Sequence, residues 1–454
     1  MCAGIRRRLG AALAGAVLIA GCGQSASGIT PAQPRALLSG PSQGKVGHVV
    51  IIVQENRTVD NLFYGLPGAD TVRYGENSDG HRIRLEPEHL DSPYDISHEH
   101  GAFSVEFRKG KLNGFDLVPS HCGARDRHKC PPRGRRAYGW VPHSEIRPYL
   151  EMASQYAFAD RMFETNEGPS FPAHQYIVSG TSTVSQGSAL RAAENPLTRG
   201  QRFTGGCDSP PGALVRLIDS AGEENQQIYP CLDRPTLADL LDAQSLSWRY
   251  YLAKVQPGLW NAFDAISHIR KSPEYYTNVI SPPSRVLTDI TNGNLASVVW
   301  VTPTSKASDH SGQTDGSGPS WVASVVNAVG KSKYWDSTTV IVVWDDWGGW
   351  YDHVAPHQYN AYELGFRVPM IVISPYAKKG YISHTQHEFG SILKFVEETF
   401  GLGSLGTTDE RADDLADCFN FNRGPRKFQV IPSVLPPSYF LNQPADGVDP
   451  DDDF

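Results

Sequence analysis

Three short polar clusters in this chain could meet around one reacting atom. Glu55-Asn56-Arg57 closes a run of apolar residues, and Asp345-Asp346 closes another. Their carboxylate and amide oxygens are hard ligands, suited to a divalent cation such as Mg2+, Ca2+ or Mn2+. A single acidic pair after such a run is more often a loop start or a helix cap, so the weight lies in having two. The third cluster is Gly168-Pro169-Ser170-Phe171-Pro172-Ala173-His174. Gly and Pro set a turn there, and Pro172 suits the first turn of a helix. Ser170 then lies at a helix N-terminus, where backbone N–H groups and the dipole favour an anion such as a phosphoryl group. A cation on its hydroxyl would make it nucleophilic; with equal weight, Ser170 is only a helix cap.

Histidines sit beside the acidic residues. His98 and His100 bracket Glu99, His310 follows Asp309, and His353 ends the segment Gly348-Gly349-Trp350-Tyr351-Asp352-His353. Two glycines and two aromatics in that segment suit a tight loop folding back over a site. Taken singly, each histidine is more often a hydrogen-bonded core or surface residue. Together they read as ligands of a second metal or as proton donors to a leaving group.

The elements that must position these groups are strands followed by loops. Residues 47–54 (GHVVIIVQ), 296–301 (ASVVWV), 338–344 (TTVIVVW) and 369–374 (PMIVIS) are apolar without alternation. That is expected of strands buried on both faces of a parallel sheet. Helical spacing marks 320–333, 236–243 after Pro235, and 388–400 before Gly401. Strands alternating with helices imply an α/β fold, a three-layer sandwich around a mostly parallel sheet. In such sheets ligands bind beyond the carboxyl ends of the strands, where Glu55, Asn56, Asp345 and Asp346 stand. Residues 65–148 and 181–229, rich in Gly, Pro, Arg and His, read as long loop insertions over one edge of the sheet.

Length and composition set the outer bounds. The 454 residues are 40% hydrophobic and 20% charged, as a folded chain requires. A net charge of -8 argues against nucleic acid as a partner. Arg6-Arg7-Arg8, the apolar run 11–20 and Gly21-Cys22 have the order of an export signal. Ile19-Ala20-Gly21-Cys22 matches a lipobox, in which Cys22 carries lipid and tethers the protein to the bacterial cell envelope; a plain signal for secretion is the alternative. This divides the chain into a signal peptide (1–22), a tether (23–46), one catalytic domain (47–424) and a Pro-rich, acidic tail (425–454). In an oxidising compartment Cys122–Cys130 and Cys207–Cys231 are the expected pairs, leaving Cys418 free. No close CxxC pair suggests a zinc-cysteine site.

Taken in order, these segments resemble a known family. Gln54-Glu55-Asn56-Arg57-Thr58-Val59-Asp60-Asn61-Leu62-Phe63 is similar to the ENRSFDxxFG opening of the bacterial phosphoesterase family, which holds phospholipases C and an acid phosphatase branch within the alkaline phosphatase superfamily. His98 to Phe103 with Asn113-Gly114-Phe115-Asp116, Gly168 to Gly180, Trp344 to Val354, Gly365 to Pro369, Ser374-Pro375-Tyr376 and His387-Glu388-Phe389 resemble its later blocks. The resemblance implies an alkaline-phosphatase-like fold and a divalent metal (Ca, Mg, Mn or Zn) held by Glu55, Asn56, Ser170, Asp345 and Asp346. It further implies Ser170 as nucleophile through a phosphoseryl intermediate, with His98 or His100, His310 and His353 binding phosphate or protonating the leaving oxygen. Phospholipases C carry Thr in a GPTDPNR context and Asp-Glu where this chain has Ser170 and Asp345-Asp346, so the chain leans toward the acid phosphatase branch.

Two rivals remain. A phospholipase C acting on membrane lipid would need an aromatic-rimmed groove, to which Trp140, Trp260, Trp347 and Trp350 are candidates. A silent binding lipoprotein would have no reason to keep Ser170 together with its oxygen ligands. A sulfatase is disfavoured, since no Cys-x-Pro-x-Arg motif is present.

Overall fold

β-Branched runs form the centre of the molecule. The computed structural model describes residue 42 and residues 44–197, 204–255 and 257–444. All of these lie within one compact unit, Leu38–Phe454. Eight strands form the main sheet: β1 (His48–Gln54), β2 (Ala157–Ala159), β3 (Trp248–Tyr251), β4 (Val279–Ile280), β5 (Val298–Val301), β6 (Thr338–Trp344), β7 (Met370–Ile373) and β8 (Tyr381–Ser383). Their spatial order is β4-β3-β5-β1-β6-β7-β2-β8. Every pairing is parallel except those of β7, which runs antiparallel to both β6 and β2. The expected α/β fold around a mostly parallel sheet is therefore observed. The run containing β7 is buried as anticipated but reversed in direction, because an apolar run carries no mark of its polarity.

The helices that matter for the site are α1 (His100–Phe107), α2 (Arg147–Gln155), α3 (Ser170–Ser179), α4 (Leu237–Ala243), α5 (Gly318–Lys331) and α6 (Phe389–Phe400). One outer layer is built where α2 packs on α5, the other where α3 packs on α6 and α4. All ten residues of α3 are buried. Both α3 and α6 end on a left-handed glycine, Gly180 and Gly401. At Gly180 the close packing adds a second reason, since a Cβ would stand 2.3 Å from Thr407 Oγ1.

Register is what brings the acidic clusters together. Gln54 at the end of β1 pairs with Trp344 at the end of β6, and Asp345 N–H continues the ladder to the Gln54 carbonyl at 2.9 Å. Glu55-Asn56 and Asp345-Asp346 thus leave the sheet side by side. A slip of one residue would turn each carboxylate to the opposite face.

The two insertions carry cores of their own. Residues 65–148 gather Ile83, Tyr94, Ile96, Phe103, Phe115 and Tyr138 around Trp347, Trp350 and Tyr351 from the loop after β6. Residues 181–229 pack Ala192, Val215 and Leu217 on Phe171, Leu259 and Trp260. Both cores use residues that follow the site clusters, so the insertions stand over the carboxyl ends of the strands. Disulfide Cys122–Cys130 closes a loop in the first, Cys207–Cys231 ties the second to a residue just beyond its end, and Cys418 is free, as expected. The tail wraps the outer layer: Ile431 exchanges hydrogen bonds with Asn327, and Phe440 packs on Trp321. Among the described residues no helix is long and apolar enough to cross a membrane. The expected lipobox at Cys22 and the acidic end of the tail lie outside the described residues.

Candidate functional site

Ser170 is the first residue of α3, and its side chain does not cap the helix. The hydroxyl lies 3.1 Å from Glu55 Oε2 and 3.2 Å from Asp346 Oδ2, with all three residues fully buried. One hydroxyl proton therefore faces two carboxylates, an arrangement that a helix cap does not call for. Asn56 closes the circle: its Nδ2 donates to Asp346 Oδ2 at 3.2 Å, and its backbone N–H donates to Asp345 Oδ1 at 3.2 Å. Asn56 takes φ +60°, a left-handed conformation that asparagine tolerates better than most residues.

The glycine pair after Asp346 folds back as expected. Gly348 N–H donates to Asp346 Oδ1 at 2.7 Å. Gly348 has φ +61°, and a Cβ there would stand 2.6 Å from the Asn56 carbonyl oxygen. At Gly349, with φ +69°, a Cβ would lie 2.4 Å from Ile96 Cγ2. Only glycine fits both positions, and the loop they allow presses on the segment that carries His98.

Two of the four candidate histidines reach this cluster. His98 Nδ1–H donates to the Ile96 carbonyl at 2.7 Å, so its Nε2 accepts from Asn56 Nδ2 at 3.0 Å. His310 stands with its ring centroid 5.8 Å from that of His98, and its Nδ1–H donates to the Ser311 carbonyl at 2.7 Å. The His310 loop is held from below. Asp309, at φ +74°, accepts from Tyr149 Oη and Gln54 Nε2, while the buried Arg57 donates through Nε and Nη2 to the Asp309 carbonyl. Burial pushes the Asp309 carboxyl up to about 6.

The other two histidines, His353 and His100, make their contacts with carboxylates outside the Ser170 cluster. Both ring nitrogens of His353 are taken, Nδ1 by Asp60 at 2.6 Å and Nε2 by Asp70 at 3.1 Å. Asp352 in turn receives Arg367 Nε and Nη2. His353 pins the start of the first insertion to the loop after β6. His100 bonds Glu224 at 2.6 Å and lies 3.5 Å from Glu167. Burial opposes its charge, but those two carboxylates outweigh burial and raise its pKa to about 9. It ties α1 to the second insertion.

Two functional candidates escaped the sequence reading. His174 Nε2 lies 3.2 Å from Glu55 Oε1 and 3.7 Å from Asp345 Oδ2. Glu55, His174 and Asp345 bring ligand atoms within 4.8 Å of one another. The signal for His174 was its spacing: residues i and i+4 share one helix face, so Ser170 and His174 point the same way. The second is Glu164, fully buried, accepting from Asn166 Nδ2 at 2.7 Å. Burial first, then the charges of Asp346 and Asp345, hold its carboxyl well above the usual range. No local signal marked it, since it lies in an irregular loop.

The cluster fits a divalent cation. Asp345 Oδ2 and Asn56 Oδ1 are buried and make no hydrogen bond, and the carboxylates of Glu55, Asp345 and Asp346 crowd one point with His174 beside them. Oxygen-rich ligation with one imidazole is within the range of Mg2+, Mn2+, Ca2+ or Zn2+.

Comparison with known proteins comes to the same ground. Residues 46–403 match the model of the Phosphoesterase family. The chain is 23% identical over 474 residues to a non-hemolytic phospholipase C of Pseudomonas aeruginosa, covering 90% of this chain and 63% of that protein. It is 23% identical over 481 residues to phospholipase C B of Mycobacterium tuberculosis, covering 93% and 87%. It therefore spans less than two thirds of the first of these relatives. Among solved structures, a protein in the alkaline phosphatase superfamily from Vibrio parahaemolyticus aligns with TM-score 0.38 and 12% identity over 83% of this chain and 71% of that one.

Proposed function

The chain belongs to the Phosphoesterase family, and from that premise we propose that it is a metal-dependent hydrolase of phosphate esters with Ser170 as its nucleophile. The observation that carries this reading is the Ser170 hydroxyl between Glu55 and Asp346 at the head of a buried helix. Ser170 Oγ bonds to phosphorus as the bond from phosphorus to the leaving oxygen breaks. The hydroxyl proton passes to the carboxylate that already accepts it, Glu55 or Asp346. His310, whose Nδ1–H is held by the Ser311 carbonyl, gives the leaving oxygen a proton from Nε2 when its ring is charged. Water then attacks the phosphoserine and passes a proton to His310, the bond from phosphorus to Ser170 Oγ breaks, and Ser170 Oγ takes its proton back from the carboxylate. A divalent cation held by Glu55, Asn56, Ser170, His174, Asp345 and Asp346 would supply positive charge where anionic oxygens converge and lower the proton affinity of the serine hydroxyl. Asn56 orients Asp346 and His98.

The substrate class we favour is a small phosphate monoester, as in the acid phosphatase branch. Serine stands at the nucleophile position, and the tryptophans that a lipid groove could have used are committed to packing. Trp347 and Trp350 are fully buried in the first insertion, Trp260 lies in the core of the second, and Trp140 stacks on Tyr64. The rival reading, a phospholipase C on phosphatidylcholine-type lipids, draws on the names of the relatives. Export with lipid attachment at Cys22 is part of the proposal and rests on the sequence alone. The test is hydrolysis of p-nitrophenyl phosphate and p-nitrophenylphosphorylcholine, each with and without chelator. Chelator-sensitive turnover of the monoester is expected; preference for the choline diester would favour the phospholipase reading, and silence on both with metal restored would overturn the proposal.

A further inference from the structure

A second constellation lies at the outer edge of the sheet, apart from Ser170. His387 stands just before α6, and Asp413, Asp417 and Cys418 lie on the segment that follows α6 back toward β8. One ligand atom each of His387, Asp417 and Cys418 lies within 4.8 Å of the other two. His387 and Cys418 are fully buried. His387 Nε2 is 3.6 Å from Asp417 Oδ1 and 3.0 Å from Ser383 Oγ, while Nδ1 is 3.1 Å from Asp413 Oδ1. Two atoms here are left unsatisfied. Asp417 Oδ1 is buried without a hydrogen bond, and His387 Nδ1 has only Asp413 Oδ1, 3.1 Å away, beside it. Burial, then the carboxylate of Asp417, raises the thiol of Cys418 well above its usual range.

We propose that His387, Asp417 and Cys418 form a binding site for a zinc-class divalent cation, with Asp413 orienting the imidazole. A thiolate, an imidazole and a carboxylate together select a borderline cation over Mg2+ or Ca2+, which prefer oxygen alone. A carboxylate beside the second ring nitrogen of a liganding histidine is the usual outer support of such sites. Binding displaces the Cys418 proton to solvent, so affinity rises with pH. The Asp417 side chain is 23% exposed, which leaves a path for the ion and for a fourth ligand from water. The ion would staple the segment 413–418 to the head of α6, and α6 packs on α3, which carries Ser170. The ligands come from positions 387 and 417–418, too far apart to leave a CxxC-like mark in the sequence. This site is independent of the ester-hydrolysing reading.

The test is a Co2+ titration of the metal-stripped full chain with its disulfides intact. A thiolate-to-cobalt charge-transfer band in the near ultraviolet is expected, displaced by Zn2+. It should persist in Glu55→Gln, disappear in Cys418→Ser, and need at least about tenfold more Co2+ in Asp417→Asn. Absence of the band in the wild type at saturating Co2+, with the thiol titratable after denaturation, would overturn the proposal, as would a band unchanged in Cys418→Ser. Should Cys418→Ser not fold, alkylation of the wild-type thiol decides the matter: Zn2+ is expected to slow it at least about tenfold, and an unchanged rate refutes the site.

Discussion

Replacing Glu194 by glutamine should change stability little at about pH 5 and make the protein increasingly more stable than the wild type as pH rises to about 8. Glu194 is only 5% exposed, and its Oε2 has no hydrogen-bond partner. Burial, then the charges of Glu224 and Glu99, push its carboxyl from 4.5 up to about 8. The sign follows from where the proton resides. Between those values the folded protein keeps a proton that the unfolded chain has released, so stability is greatest below 4.5 and falls until the pH passes about 8. Each pH unit across that interval costs about 1.36 kcal/mol, which sets a ceiling of about 5 kcal/mol. His100 contributes to the shift from the opposite side and stays protonated over the same range, with its own pKa raised to about 9. Its positive charge is already included in the value of about 8, so a difference of about 4 kcal/mol at pH 8 is the expectation. The assay is urea unfolding followed by tryptophan fluorescence at several pH values, with chelator present throughout. A difference between variant and wild type that stays flat with pH, or that grows in favour of the wild type, would refute the reasoning.

Ser170→Ala should lose at least about 10³-fold in turnover of p-nitrophenyl phosphate while its circular dichroism stays native; near-normal turnover would remove the covalent mechanism. Asp345→Asn and His174→Ala should each lower the metal bound after dialysis, read by elemental analysis, and unchanged content in both would break the ligand assignment. Gly349→Ala places a methyl 2.4 Å from Ile96 Cγ2 at φ +69°; it should cost about 1–3 kcal/mol and reduce turnover by displacing His98, and a variant normal in both would separate that loop from the site. Cys22→Ser should move the protein from the membrane fraction to the soluble one if the lipobox is processed.

What the sequence disclosed, and what it hid, follows from the range of each interaction. The strands announced themselves because a run such as Thr338–Trp344, seven residues all buried, has one physical explanation: both faces are covered. The convergence of Glu55-Asn56 with Asp345-Asp346 was only suggested by their places at the carboxyl ends of strands, because it requires β1 and β6 to be neighbours in register, which an apolar run does not reveal. Direction was not legible for β7, where hydrophobicity is the same read either way. The histidines show the limit more sharply. His353 and His100 stand beside acidic residues in sequence as His98 does, yet Asp60 and Asp70 claim one, and Glu167 and Glu224 the other. Local acidity therefore identifies a charged partner without identifying which site it serves. Glu224 comes from the second insertion and Asp70 from the first, so those assignments are settled only when the insertions fold over the strand ends. The insertions in turn depend on Trp347, Trp350 and Phe171, residues adjacent to Asp346 and Ser170. The aromatic neighbours of the polar site are the cores of the loops that cover it. A substitution at Trp350 should accordingly disturb the hydrolytic site as well as stability, through Arg57, whose guanidinium lies 5.0 Å from the Trp350 ring while donating to the Asp309 carbonyl that precedes His310.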